Sequence, residues 1–321
     1  RLALDGVSCT TIPPCEQWGA CSQHCTPLHH DAYKCSCDEG YELDQNDRFT
    51  CKSVSPVAPR VLFSNRNEIR SINLHTNAPN LVLSGLKNTI AIDYLFANNE
   101  ADIYVYWADV VDDKIYRGEL MQSTITNIET LVENGLTSAE GIAVDWIGLN
   151  LYWVESTLDQ IEVAQINGSF RKTLITEHLS APRAISLDPL ECTMFWTDWD
   201  TENPRIEAAL MDGTERRVVT TVGKNSWPNG IALDFIMKRI YWIDAKTDTL
   251  STIRYDGSDL HNVILNNQYL THPFAVSLYE NHVYWSDWKT NSVVRANRWN
   301  GTNVEVIAST FTQPFDVKVL H

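Results

Sequence analysis

The chain has 321 residues, 44% hydrophobic and 10% aromatic, which leaves room for about two domains and a sizeable core. Its 41 acidic against 25 basic side chains give a net charge of −16, a field that repels phosphate backbones and anionic surfaces, so nucleic acid is not expected as a partner. No run of about 18 apolar residues and no basic-then-apolar leader is present, so neither a membrane span nor direct membrane contact is expected of this stretch, which reads as an excised soluble piece.

Cysteine divides the chain. Seven of the eight cysteines lie at Cys9, Cys15, Cys21, Cys25, Cys35, Cys37 and Cys51, and only Cys192 follows. Such density belongs to an oxidising compartment. From Cys15 the spacing is C-x5-C-x3-C-x9-C-x-C-x13-C, and six cysteines admit about 15 pairings, which spacing alone does not resolve. Zinc would need C-x2-C pairs or histidines at ligand spacing, and these are missing. The spacing resembles an EGF-like module over residues 11–53. That resemblance implies the bridges Cys15–Cys25, Cys21–Cys35 and Cys37–Cys51. "LALDGVSC" is similar to the segment ending at Cys51 and reads as the C-terminal remnant, residues 1–10, of a preceding module, with Cys9 left without its natural partner. Calcium-binding modules of this type carry acidic or amide residues before the first cysteine; "TTIPP" stands there, and no metal is expected.

After a linker at 54–59, one aromatic strand phrase occurs six times: "VLFSN", "VYWAD", "LYWVE", "MFWTD", "IYWID" and "VYWSD". The central aromatics Phe63, Trp107, Trp153, Trp196, Trp242 and Trp285 are 44, 46, 43, 46 and 43 residues apart. Most copies follow an apolar phrase such as "GIAVD" or "GIALD", and four precede "NGS", "DGT", "DGS" or "NGT" at Gly168, Gly213, Gly257 and Gly301. These dipeptides favour type I′ hairpins, in which both central residues have positive φ. Each unit therefore reads as four antiparallel strands, the size of one propeller blade. Along "LYWVE" bulky apolar groups fall on both faces, so both faces must be covered, as in radially stacked sheets. "FDVKVL" at the C-terminus lacks an aromatic phrase after it, and "VLFSN" lacks an apolar phrase before it. They are expected to pair and close a ring. The fold class expected is all-β: a six-bladed propeller over residues 60–321.

Six YWTD-like phrases at this spacing, behind an EGF-like module, resemble the ectodomains of low-density lipoprotein receptor-related proteins, with phrases such as "WPNGIALD" and "TQPFDVKV" similar to the large endocytic, multi-propeller member of that group. The resemblance implies an extracellular, endocytic, single-pass receptor that cycles through endosomes and binds protein ligands. It also directs attention to one propeller face, where residues ahead of each inner strand recur: Glu140, Arg183, Trp227, Asn229, His272, Phe274 and Phe315, with Trp199 and Trp288 directly after two aromatic phrases. Aromatics and Arg dominate binding hot spots, so this set is the candidate ligand-binding face. The competing reading is that Trp199 and Trp227 pack neighbouring blades and Arg183 pairs with Glu140. In relatives that read an Asn-x-Ile type peptide, the Asn of "WPN" contacts the ligand asparagine, and Trp227 and Asn229 preserve that phrase. In the family a histidine cluster including the position of His272 aids acid release. Asp248 and Gln268 depart from that pattern, so at most a modest pH effect is expected.

No nucleophile elbow, zinc helix or phosphate loop occurs, so no catalysis and no cofactor are expected. The recurring Asp109, Asp198, Asp244 and Asp287, with Glu155, sit once per unit and read as structural acids that accept turn N–H groups. Sequons place glycans at Asn167 and Asn300. Two other readings remain: a matrix scaffold of nidogen type, and a propeller hydrolase with acids or calcium in its channel. The partners expected are protein ligands, including Asn-containing peptide segments, or neighbouring receptor modules.

Overall fold

The computed structural model describes residues 12–97 and 102–321; the reading of residues 1–10 and of Cys9 lies outside them. Among the described residues the only helical segment is the 3-10 turn Pro14–Glu16. The N-terminal part consists of two short antiparallel ladders, His24–Pro27 with Tyr33–Ser36 and Tyr41–Leu43 with Cys51–Ser53. Disulfides join Cys15 to Cys25, Cys21 to Cys35 and Cys37 to Cys51. So short a chain buries little apolar surface, and the cross-links supply what a core does elsewhere.

The remainder is a propeller. Four of its sheets are four-stranded antiparallel meanders, beginning at the inner strands Ala139–Asp145, Pro182–Asp188, Pro228–Asp234 and Pro273–Tyr279. The fifth has six strands, ordered Val317–Leu320, Arg60–Asn73, Pro79–Ala97, Asp102–Asp109, Lys114–Met121 and Thr124–Val132. The expectation of six separate blades is thus corrected to five hydrogen-bonded sheets, one of which carries two aromatic phrases. The cause is the joint at Pro79–Ala97. This strand pairs through its first half with Glu68–Ile72 and through its second half with Asp102–Asp109. Pro182, Pro228 and Pro273 open three of the other inner strands, each removing a backbone donor at the strand's first residue, and the fourth, Ala139–Asp145, begins without one. In "GLKNTI" the strand runs on through a bend at Gly85, φ 84°.

The C-terminal strand pairs beside the first phrase, Val317 with Phe63 and Val319 with Val61. That pairing closes the ring. Six clusters of buried side chains follow one another around it. Each phrase with two rings divides them between two of these clusters: Tyr152 packs with Ile185 and Trp196, whereas Trp153 packs with Tyr106 and Ile142. The two halves of the six-stranded sheet also face each other, Leu62, Ile69 and Val82 against Ile92, Val105 and Trp107. The tryptophans of four phrases, Trp107, Trp153, Trp196 and Trp285, are fully enclosed.

The phrase-ending acids hold the turns. Asp109 accepts N–H bonds from Lys87, Asn88, Val111 and Asp112. Asp244 accepts them from Trp227, Lys246 and Thr247, and Asp287 from Thr271, His272 and Thr290. The Asn-Gly and Asp-Gly hairpins differ from the type I′ expectation. Only the glycine has positive φ, as at Gly168, and the second left-handed residue comes two positions later, as at Phe170. The preceding side chain explains this: Asn167 Oδ1 accepts the Ser169 N–H at 3.0 Å, an Asx turn that fixes the tip without an inverted Asn.

The disulfide-bonded part sits on the propeller through Trp18. Its indole donates to the Trp299 carbonyl at 2.6 Å, stacks on His261 with centroids 4.5 Å apart, and receives the Arg239 guanidinium at 4.6 Å. Arg298 donates to the Ser22 carbonyl, and Glu280 accepts the Ser53 N–H.

Candidate functional site: the aromatic mouth of the channel

The inner strands enter the ring at one mouth, and the loops ahead of them place their side chains around it. Two glycines let these loops converge. A Cβ on Gly141 would lie 2.5 Å from the Arg183 carbonyl oxygen, and one on Gly230 would lie 2.7 Å from Ala275 Cα. Neighbouring backbones therefore approach to contact beside Glu140 and Asn229.

From there an arc of side chains can be followed around the rim. Glu140 accepts the hydroxyls of Ser138 and Ser156 at 3.1 and 2.9 Å and pairs with Arg183. The Arg183 guanidinium lies 3.9 Å from the centre of the Trp199 ring. Burial pushes it down to about 10, and its Nε has no hydrogen-bond partner. Trp199 donates to the Pro228 carbonyl at 3.0 Å and stacks on Trp227 with centroids 5.6 Å apart. Trp227 meets His272 at 6.3 Å, and His272 meets Trp288 at 5.5 Å. Trp288 stacks on Phe274 at 4.9 Å, and Phe315 packs edge-on against both.

Eight of the nine residues of the expected face thus touch one another in turn around the mouth, Phe315 among them buried, and Asn229 lies outside this chain of contacts. Glu140, Arg183, Asn229 and Phe274 also line the narrow throat beneath it. The packing reading is the one these contacts bear out: Arg183 does pair with Glu140, and the two tryptophans do bridge adjacent loops. The two readings are compatible, because Trp227 remains 39% exposed while its neighbours fix its orientation. Asn229 is buried and donates its amide to the Pro273 carbonyl at 2.9 Å.

Sequence reasoning missed three members. Arg66 lies 5.8 Å from the Phe315 ring and donates to Gln313, Lys246 lies 4.6 Å from the Trp227 ring, and Ser156 binds Glu140. The signal was present, since Arg66 and Ser156 each directly follow an aromatic phrase, the repeat position that singled out Trp199 and Trp288. The channel also holds Asp93, Asp316 and Lys318. Burial raises both carboxyls, and the two acids raise the Lys318 ammonium against the opposing effect of its burial. Among the described residues no group of three or more His, Cys, Asp or Glu is placed to hold a metal.

The profile of the low-density lipoprotein receptor repeat class B matches residues 150–189, 193–235 and 238–280, which contain three of the aromatic phrases. The propeller belongs to this YWTD family. The chain is 32% identical over 319 residues to the vitellogenin receptor Yl of Drosophila melanogaster, covering 96% of this chain and 15% of that protein's length. The YWTD propeller also resembles a chain solved in a nidogen/laminin complex, with a TM-score of 0.72 and 29% identity over 81% of this chain and 98% of that one. TolB from Acinetobacter baumannii shares the fold alone, with a TM-score of 0.64 and 11% identity over 81% of this chain and 66% of that one.

Proposed function

We propose that this chain is an extracellular, non-enzymatic binding module of an endocytic receptor, which takes protein ligands at the aromatic mouth. Residues 11–53 are read as an EGF-like module, 54–59 as a linker and 60–321 as the propeller, with the six-stranded sheet acting as two of six sectors around the channel. The observation that carries the reading is the continuous arc from Arg183 through Trp199, Trp227, His272 and Trp288 to Phe315. Its rings are held in place before any ligand arrives, so little ordering entropy is lost on binding. Three disulfides and the relation to a vitellogenin receptor support the extracellular setting. Asn167 and Asn300 are exposed, and each turns its own Oδ1 toward the sequon hydroxyl, a geometry suited to glycan addition at the amide nitrogen.

A matrix-scaffold role has one specific observation in its favour, the likeness to the chain from the nidogen/laminin complex. Surface-immobilised chain exposed separately to a yolk lipoprotein and to laminin separates the two. The receptor reading expects saturable binding of the lipoprotein, lost in Trp199→Ala plus Trp227→Ala, and the scaffold reading expects the same of laminin. Binding that survives the double substitution would contradict the mouth as the site.

A further inference from the structure

The far end of the channel has a different character. There the inner strands leave the ring, and a cavity of 620 Å³ opens among Phe96, Trp146, Leu233, Phe235 and Leu278. Trp146 and Phe235 form its lip, edge to face with centroids 5.5 Å apart, and remain 42% and 38% exposed. The volume lies in the range of about 300 to 1,000 Å³ typical of small-molecule sites, which are mostly apolar with a few convergent polar groups. No residue of the disulfide-bonded part lines it.

Its polar lining comprises Tyr94, Ser186, Ser277 and His321 together with two charged groups at the inner end. Lys318 and Asp93 line the cavity, and Lys318 also borders the throat below the aromatic mouth. The acids are already engaged by backbone: Asp93 accepts the Val144 N–H at 2.7 Å, and Asp316 accepts those of Ile92 and Val317 at 2.9 and 2.8 Å. The Lys318 ammonium feels both acids through space, but among the described residues no direct hydrogen bond or ion pair reaches it. It therefore presents free N–H donors to whatever enters.

We propose that this cavity binds an uncharged amphiphile, an apolar body closed by one hydroxyl that accepts a hydrogen bond from Lys318. Charge selects the head. A carboxylate would bring a third acid to a single ammonium, and an ammonium head would confront Lys318 directly, whereas a hydroxyl adds an acceptor at no electrostatic cost. The apolar wall sets the tail, with the Trp146 and Phe235 rings closing over it.

The test uses the whole chain with the neutral fluorophore N-phenyl-1-naphthylamine, displaced by dodecan-1-ol, dodecanoate or dodecylammonium. Saturable fluorescence is expected, displaced by the alcohol at concentrations about tenfold lower than by either charged analogue. Ser186 also lines the cavity, so Ser186→Phe fills it and should weaken the fluorophore by about tenfold while an unchanged melting temperature reports an intact ring. In Lys318→Met the remaining acids should reverse the order and make dodecylammonium the best competitor. Absence of saturable binding, binding untouched by Ser186→Phe, or dodecanoate competing as well as the alcohol would overturn the proposal. Should Lys318→Met fail to fold, the wild-type ranking and Ser186→Phe decide alone. Trp199→Ala plus Trp227→Ala should leave this binding unchanged, which keeps the outcome separate from that at the aromatic mouth.

Discussion

The disulfide-bonded part and the propeller solve the same problem with opposite means. The first has short ladders and three cross-links that restrict its unfolded state. The second has no disulfide among its described residues and relies on rings buried between sheets. The difference teaches where each region is fragile: covalent chemistry governs one, and ring closure and packing govern the other.

The largest effect separating them is expected from deleting the last eight residues. Loss of the Val317–Leu320 strand strips the partner from Val61 and Phe63 and exposes two of the ring's clusters, so the propeller's melting temperature should fall steeply while the N-terminal bridges remain. An unchanged melting profile would show that the ring does not depend on this pairing. Reduction tests the opposite case. With each bridge contributing about 2 to 4 kcal/mol, mild reductant should abolish amide protection in His24–Pro27 and Tyr33–Ser36 but leave the propeller sheets protected; simultaneous loss in both would break the contrast.

Within the propeller, Trp153→Ala should cost about 3 to 5 kcal/mol by chemical denaturation, the range for deleting an enclosed aromatic. Trp153 is fully buried, donates to Glu162 at 2.9 Å and lies 5.3 Å beneath the Arg171 guanidinium. A cost below about 1 kcal/mol would place the stability elsewhere. The smallest effect concerns Glu155, whose carboxyl is raised by burial against the lowering bonds from Ser138 and Thr137. The native state holds this proton more tightly than the unfolded chain, so the contribution is complete below the ordinary carboxylate range and is lost as pH rises through the raised value. Glu155→Gln removes that loss and should gain stability relative to wild type between about pH 4 and pH 7. A difference independent of pH would contradict it.

Much of this was legible because repetition converts weak local signals into geometry. Six phrases at near-constant spacing announce stacked sheets, and the repeat position of a loop fixes which mouth it reaches. That is why Glu140, Arg183, Trp227 and Phe315, far apart in sequence, could be assigned to one rim. The joining of two aromatic phrases in one sheet through Pro79–Ala97 was not legible, because the pattern of apolar residues does not mark where a strand runs on through a bend such as that at Gly85. Nor was the direction of the Asn167 side chain, which fixed its turn by a local hydrogen bond that composition does not reveal. Lys246 reached Trp227 through a flexible stem, and only coordinates show where such a stem ends.

The account rests on the aromatic rim as the place where a protein partner lands. Hydrogen–deuterium exchange of the chain with and without a bound protein partner tests this directly. Protection should rise in the loops around residues 138–140, 181–183, 227–229, 272–274 and 313–315. Protection confined to the outer strands, or to turns such as the one bearing Phe170, would contradict it.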